Sequence, residues 1–139
     1  MLKTVLPAAA ATLALAGPAL AADVTGVWRT AAQGGLIEIV PCGESVCGRV
    51  VSSAPLVAHP DLKDSLNKNP ALRSRPLKGL VVLQGFHHDG AAWTGGQLYN
   101  PANGSTYKGD LRLIATDRLE VTGCIVAPLC QSQVWSRAK

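Results

Sequence analysis

Two arginines separated by a single serine, Arg73 and Arg75, are the side chains whose types and spacing first suggest chemistry. They lie in Asn69-Pro-Ala-Leu-Arg-Ser-Arg-Pro-Leu-Lys-Gly79, the most unusual polar stretch of the chain. Guanidinium groups bind carboxylates and phosphates through paired hydrogen bonds, so the two together would make a fork for an anion. The plainer reading is that one arginine caps carbonyls of a long loop and pairs with Asp61, Asp64 or Glu38. A second group is aromatic and amide. Trp93, Tyr99 and Tyr107, with Phe86, fall in consecutive extended segments, and Gln84, Gln97, Gln131 and Gln133 accompany them. An apolar cup with a few amides suits a small amphipathic ligand, although aromatics in a core need no further role. Gln131 and Gln133 alternate along one segment, and if they point inward they require partners or water.

Other constellations lead nowhere. His87-His88-Asp89 invites a metal or general-base reading, but adjacent histidines in a strand point to opposite faces, and His59 is the only other histidine. The triplet reads as a solvated hairpin end. The sequence has no Gly-x-Ser-x-Gly elbow, P-loop, dinucleotide-binding glycine pattern or paired-carboxylate motif. It therefore implies no catalytic residue, no metal and no cofactor, and an enzyme is disfavoured.

The start of the chain reads as an export signal. Lys3 is a short positive region, Val5 to Leu15 an apolar run, and Ala19-Leu20-Ala21 a small-residue cleavage site. The run is broken by Pro7 and Pro18 and falls short of the roughly 20 residues that a membrane span needs. Residues 22–139 then form one domain in the periplasm or outside the cell, with no transmembrane span. The net charge of +4 is mild. Its basic residues are scattered among acids apart from Lys63–Lys78, which argues against nucleic acid. Four cysteines in an exported chain imply two disulfides. Spacing favours Cys42 with Cys47 and Cys124 with Cys130, each across its own hairpin. Such short loops contribute about 2 kcal/mol each on the loop-entropy model.

These residues need elements to position them, and nearly every element reads as a strand. Val24–Thr30 is the first, with Gly26 and Trp28 on one face. Leu36–Cys42 and Val46–Ser52 form a β-branched hairpin. Four prolines between Ser53 and Lys78 exclude a central strand, so 53–78 is one long irregular connection, with a helical turn or two expected in Pro60–Asn67. Strand character returns at Gly79–His87 and Ala92–Tyr99, joined by the hairpin signal Asp89-Gly90. The cleanest alternation follows, with Tyr107, Gly109, Leu111 and Leu113 on one face and Lys108, Asp110 and Arg112 on the other. Leu119–Cys124 and Cys130–Arg137 complete eight strands. Tight turns and two otherwise open edges predict an all-β fold, a small eight-stranded antiparallel up-and-down barrel.

Gly26-x-Trp28 near the start and Arg137 near the end resemble the first-and-last-strand signature of calycin-type barrels such as lipocalins. In that family the glycine permits close passage of the chain and the arginine lies over the tryptophan at the closed end. The wider pattern includes Cys42-Gly43, Cys47-Gly48, Asn69-Pro70, Arg73-x-Arg75-Pro76-Leu77-x-Gly79 and Trp93-x-Gly95-Gly96. It continues through Tyr99-x-Pro101, Gly104-x-x-Tyr107, Gly123-Cys124 and Gln133-x-Trp135-x-Arg137. This pattern is similar to the bacterial family catalogued as domain of unknown function twenty-one forty-seven. The resemblance implies an exported small β-protein with no established activity. One departure is Ser52-Ser53, where that family carries an apolar or aromatic segment after the third strand. The expected function is binding of a small apolar or amphipathic molecule by Arg73, Arg75, Trp93, Tyr99, Tyr107, Gln131 and Gln133. Gly26, Trp28, Trp135 and Arg137 are expected to be structural. The alternative is an envelope-associated module whose 53–78 loop contacts a protein partner.

Overall fold

The computed structural model describes residues 5, 7–12, 23–126 and 128–138. Lys3 and the cleavage site expected at residues 19–21 lie outside the described residues.

The β-branched and alternating segments become strands β1 (Gly26–Arg29), β2 (Leu36–Cys42), β3 (Ser45–Ser52), β4 (Val81–Gln84) and β5 (His87–Asp89). They continue as β6 (Ala92–Asn100), β7 (Ser105–Ala115), β8 (Arg118–Val126) and β9 (Leu129–Arg137). Neighbours pair in the order β4-β3-β2-β1-β9-β8-β7-β6-β5, and β4 also pairs with β6, which closes the sheet on itself. β4 and β5 share the partner β6, through Leu83 opposite Leu98 and then His87 opposite Thr94. They are one barrel strand interrupted at Gly85-Phe86, and the barrel has eight antiparallel strands, as the alternation predicts.

Among the described residues, helix is confined to the connection between β3 and β4, as α1 (Ala54–Ala58) and a 3-10 turn at Pro70–Leu72. The helical turn expected within Pro60–Asn67 is not there. Helix forms instead where a capping side chain precedes a proline. Ser53 accepts from the Leu56 amide at 3.3 Å, and Asn69 accepts from the Ala71 amide at 3.1 Å. The Ser53 that departs from the family pattern is thus the cap of α1.

Cross-strand partners share a face, so register identifies the inner wall. Trp135 stands opposite Leu119 and Gln133 opposite Val121. Val121 in turn faces Leu111, and Leu111 faces Trp93. The most deeply buried side chains are Trp28, Leu111 and Leu119, each at 0% exposure, with Ile39 at 1%. One layer further along is almost all glycine: Gln131, Gly123, Gly109 and Gly96. Those glycines make room for neighbours rather than leaving a void. The Phe86 ring lies against Gly96, and Leu98 lies over Gly109 and Gly123.

Both disulfides form as spacing predicts. Cys124 and Cys130 are directly opposed across the β8–β9 hairpin, while Cys42 and Cys47 join across the β2–β3 tip. Closure is finished by Arg137, whose guanidinium lies 4.3 Å above the Trp28 ring. Its Nη1 donates to Thr25 O at 2.7 Å, its Nη2 to Asp23 O at 2.7 Å and its Nε to Thr116 O at 2.8 Å. The Trp28 indole N–H donates to Val24 O at 2.8 Å. Gly26 has φ 127°, a region open to glycine and strained for other residues. Replacing Arg137 by alanine should lower unfolding free energy by about 2 kcal/mol, from the cation–π contact and the charged hydrogen bonds, discounted for partial exposure. Arg137→Lys should recover less than half, because one ammonium cannot reach three carbonyls spread over two segments. Urea midpoints check both, and a lysine variant as stable as the parent would refute the planar-fork account.

Candidate functional site at the open end of the barrel

In an up-and-down barrel, successive connections alternate between the two ends. The β2–β3 tip, the β5–β6 and β7–β8 turns and Arg137 lie at the end plugged by Trp28. The β1–β2 loop, the 53–80 connection, the β6–β7 turn and the β8–β9 tip lie at the other.

Gln131 and Gln133 are on the inner face by register, opposite Gly123 and Val121, yet both are exposed to solvent. An inward side chain can be exposed only where the barrel is open, so these amides line its mouth. Tyr107 is half-buried on the same face, two residues from Gly109 and opposite Leu98. Its hydroxyl accepts from Asn103 Nδ2 at 2.8 Å. The Trp135 indole N–H donates to Gln133 Oε1 at 3.1 Å, fixing that amide over the packed core. By register, Tyr107, Gln131 and Gln133 stand on the inner face around Leu98 and Trp135, and there is little depth between them because Leu98 occupies the space above Gly109 and Gly123.

The structure brings three of the seven sequence-predicted ligand residues together: Tyr107, Gln131 and Gln133. The other four lie elsewhere. β6 carries one extra residue relative to β7 between Trp93 and Gly96, with the Gly95 amide satisfied by Asp110 Oδ1 at 2.9 Å. A bulge of one residue exchanges faces. Trp93 therefore points inward beside Leu111, stacked on His88 at 4.6 Å, whereas Tyr99 joins Thr106 on the outer face. His88, read from sequence as part of a solvated turn, is exposed but in contact with that indole. A cleft of about 630 Å³ opens between the β2–β3 tip and β5, floored by buried Phe86; it includes none of the seven. Gln84 and Gln97 pair with each other, and Gln97 is also opposite Lys108 on the outer face.

Arg73 and Arg75 anchor the long connection and do not stand free as a fork. Arg75 Nε donates to Asp64 Oδ2 at 3.0 Å, and Arg73 Nε to Asn67 O at 2.8 Å. Asp64 is 1% exposed and also accepts from Asn67 Nδ2 at 2.8 Å and from the Tyr99 hydroxyl. The Arg75 guanidinium stacks 5.7 Å from the Tyr99 ring. Glu38 binds Arg49 instead, at 3.0 Å, and Asp61 is exposed. Asp64 thus straps the connection to the barrel wall, and Gly104 completes the join: at φ 72°, any Cβ there would lie 1.9 Å from Leu66 O. Burial alone would raise the Asp64 carboxyl, but the hydrogen bonds from Tyr99, Asn67 and Arg75 outweigh it and hold the group below its ordinary value. Burial, then the bond to that carboxylate, pushes Tyr99 up. Sequence reasoning named Asp64 only as an arginine partner; the signal for its network was the run of Asx residues at 64, 67 and 69 around a proline-rich loop.

Residues 26–137 match the family model described as an uncharacterized protein conserved in bacteria, DUF2147. The chain belongs to that family. Its fold is similar to that of protein HP1028 from the human pathogen Helicobacter pylori, a protein described as belonging to the lipocalin family. The TM-score is 0.74 at 24% sequence identity, covering 84% of each chain. No curated protein sequence matches the chain. No helix among the described residues is long and apolar enough to cross a membrane.

The lowered Asp64 carboxyl has a pH consequence with a definite sign. Its contribution is fully present above the unfolded value, about 4, and is lost as pH falls below that through the folded value. Loop amides, such as Asp64 N on Arg75 O and Leu77 N on Leu62 O, should lose hydrogen-exchange protection, measured against the intrinsic rate at each pH, on acidification before the barrel amides do. Asp64→Asn should cost about 1–3 kcal/mol at neutral pH through unsatisfied donors and abolish this acid step. An acid profile shared by variant and parent would exclude Asp64 as the strap.

Proposed function

We propose that this DUF2147 chain is an exported, non-catalytic barrel that holds a small amphipathic molecule in its open end. The observation that carries this reading is the inward yet solvent-exposed pair Gln131 and Gln133 above a packed apolar floor. The apolar part of the ligand would rest on Leu98 and the Tyr107 ring, and its polar group would exchange hydrogen bonds with the two amides. The shallow floor favours a short ligand over a long chain threaded along the axis. Two disulfides support export, because such bonds persist in oxidising compartments. The lipocalin-like architecture of the barrel supports binding over catalysis as an analogy of fold.

A second reading has its own observation. Val57 and Leu66, both in the long connection, are 74% and 58% exposed, which favours an envelope protein partner contacting the 53–78 loop.

Native mass spectrometry of protein recovered from its own periplasm separates the two. Binding predicts a retained small molecule, lost from a Gln131→Leu/Gln133→Leu variant that keeps the parent's near-ultraviolet circular dichroism. Removing two neutral hydrogen bonds should weaken the complex by about 2 kcal/mol, roughly thirtyfold in Kd. A bare parent mass, with co-purification of a protein abolished by Val57→Asp/Leu66→Asp, would replace the first reading with the second.

A further inference from the structure

The tip of the β8–β9 hairpin is apolar and uncovered. Ile125, Val126 and Leu129 are 75%, 67% and 68% exposed, and the Cys124–Cys130 disulfide clamps the hairpin immediately behind them. The exposed charge at the same end of the barrel is mainly positive. Lys108 is the cross-strand partner of Cys124, and Lys68 reaches Ser105 Oγ at 3.1 Å at the start of β7. Lys63, Arg73 and Lys78 are exposed on the connection that borders the mouth, and against them stands exposed Asp61, since Asp64 is buried and paired with Arg75. The plugged end lacks such an excess: its turns carry exposed Glu44, Asp89 and Asp117, with exposed Arg118 beside Asp117.

From this polarity we propose that the open end docks on an anionic lipid bilayer, with the Ile125-Val126 and Leu129 tip inserted at the headgroup boundary. An apolar projection ringed by lysines gains both from burial in the interface and from attraction to anionic lipid. A second copy of the chain is a poorer occupant. Three side chains on a convex hairpin tip cannot supply the roughly 1,200–2,000 Å² of a stable interface, and two like-charged ends would repel. The Cys124–Cys130 disulfide holds the two strands together directly behind the tip. The docking deepens the binding reading, on which its purpose rests: a bilayer is a source or sink of small amphipathic molecules, and the mouth with Gln131 and Gln133 would face it.

Vesicle flotation tests the docking apart from ligand retention. The parent should float with phosphatidylcholine vesicles containing phosphatidylglycerol and about tenfold less with phosphatidylcholine alone, and raised salt should abolish the difference. Val126→Asp/Leu129→Asp should lose flotation while native mass spectrometry still shows the retained molecule. Lys68→Glu/Lys108→Glu, which leaves the tip intact, should weaken flotation about tenfold or more. Circular dichroism identical to the parent's qualifies each variant. Flotation of the tip variant equal to the parent's would overturn the proposal, as would absence of the parent from both vesicle types. Tip-dependent dimers in light scattering without flotation would overturn it in favour of a second copy. A bare parent mass with normal flotation would sink the ligand reading and leave docking standing.

Discussion

A barrel of this kind exists only if its first strand meets its last, and here that meeting is short. β1 has four residues, and its register with β9 runs over Trp28 opposite Arg137 and Arg29 opposite Ser136. Two pairs of a ladder are a weak latch. What the backbone lacks, one side chain supplies. Arg137 carries its positive charge over the Trp28 ring and ties together carbonyls from the segment before β1 and from the turn between β7 and β8. The indole beneath is fully buried and fixed by its own bond to Val24 O. Trp28 plugs the axis at that end, where the cleft over Phe86 opens only sideways between the β2–β3 tip and β5, and the axis itself opens at the other.

The glycine layer then decides how far the opening reaches. Gly96, Gly109 and Gly123 sit where inward side chains would meet, so Phe86 and Leu98 fold across the axis instead. The interior is consequently a core over most of its length, close-packed as protein interiors are. The layer above it, with Gln131 and Gln133, is exposed to solvent. A ligand held at so shallow a mouth would be specified by a few rim residues, discriminated by hydrogen bonding at the amides more than by enclosed volume.

The sequence made the architecture readable because its signals were local and repeated. Alternation from Tyr107 to Leu113, the Asp89-Gly90 turn and cysteines six residues apart each constrain one hairpin, and eight strands with no spare edge leave few ways to close. The tryptophan and arginine were legible for a different reason: their types fit one another wherever the chain ends meet. The grouping of the site was harder to read. Trp93 and Tyr99 are an even number of residues apart and would share a face in a regular strand, but one extra residue at Thr94-Gly95 sends them to opposite sides. Nothing in the pattern marks that bulge except paired glycines, which also suit a turn. The anchoring of Arg73 and Arg75 was legible as the plainer of two readings, but the acid that does it was not, since a buried aspartate in a proline-rich loop looks from sequence like any solvated acid. Its partner Tyr99 lies 35 residues away.

The two halves of the open end differ in how they are held, and the difference bears on what each can do. On the side of β3, β4 and β6, the long connection is strapped by Asp64 with Tyr99, Asn67 and Arg75 and wedged against Gly104. Buried polar networks that are fully satisfied have one arrangement, and departing from it leaves several groups unpaired at once. That side is therefore a rigid rim. On the side of β8 and β9, the hairpin reaches its tip with exposed apolar residues and one disulfide, with no comparable packing above it among the described residues. Exposed apolar area of this kind lowers free energy only when something covers it. A rigid basic rim beside a clamped apolar tip would present one end of the molecule to a surface and leave the mouth between them. The charge polarity of the barrel gives that orientation a sign: the end that would meet an anionic surface is the end that is open.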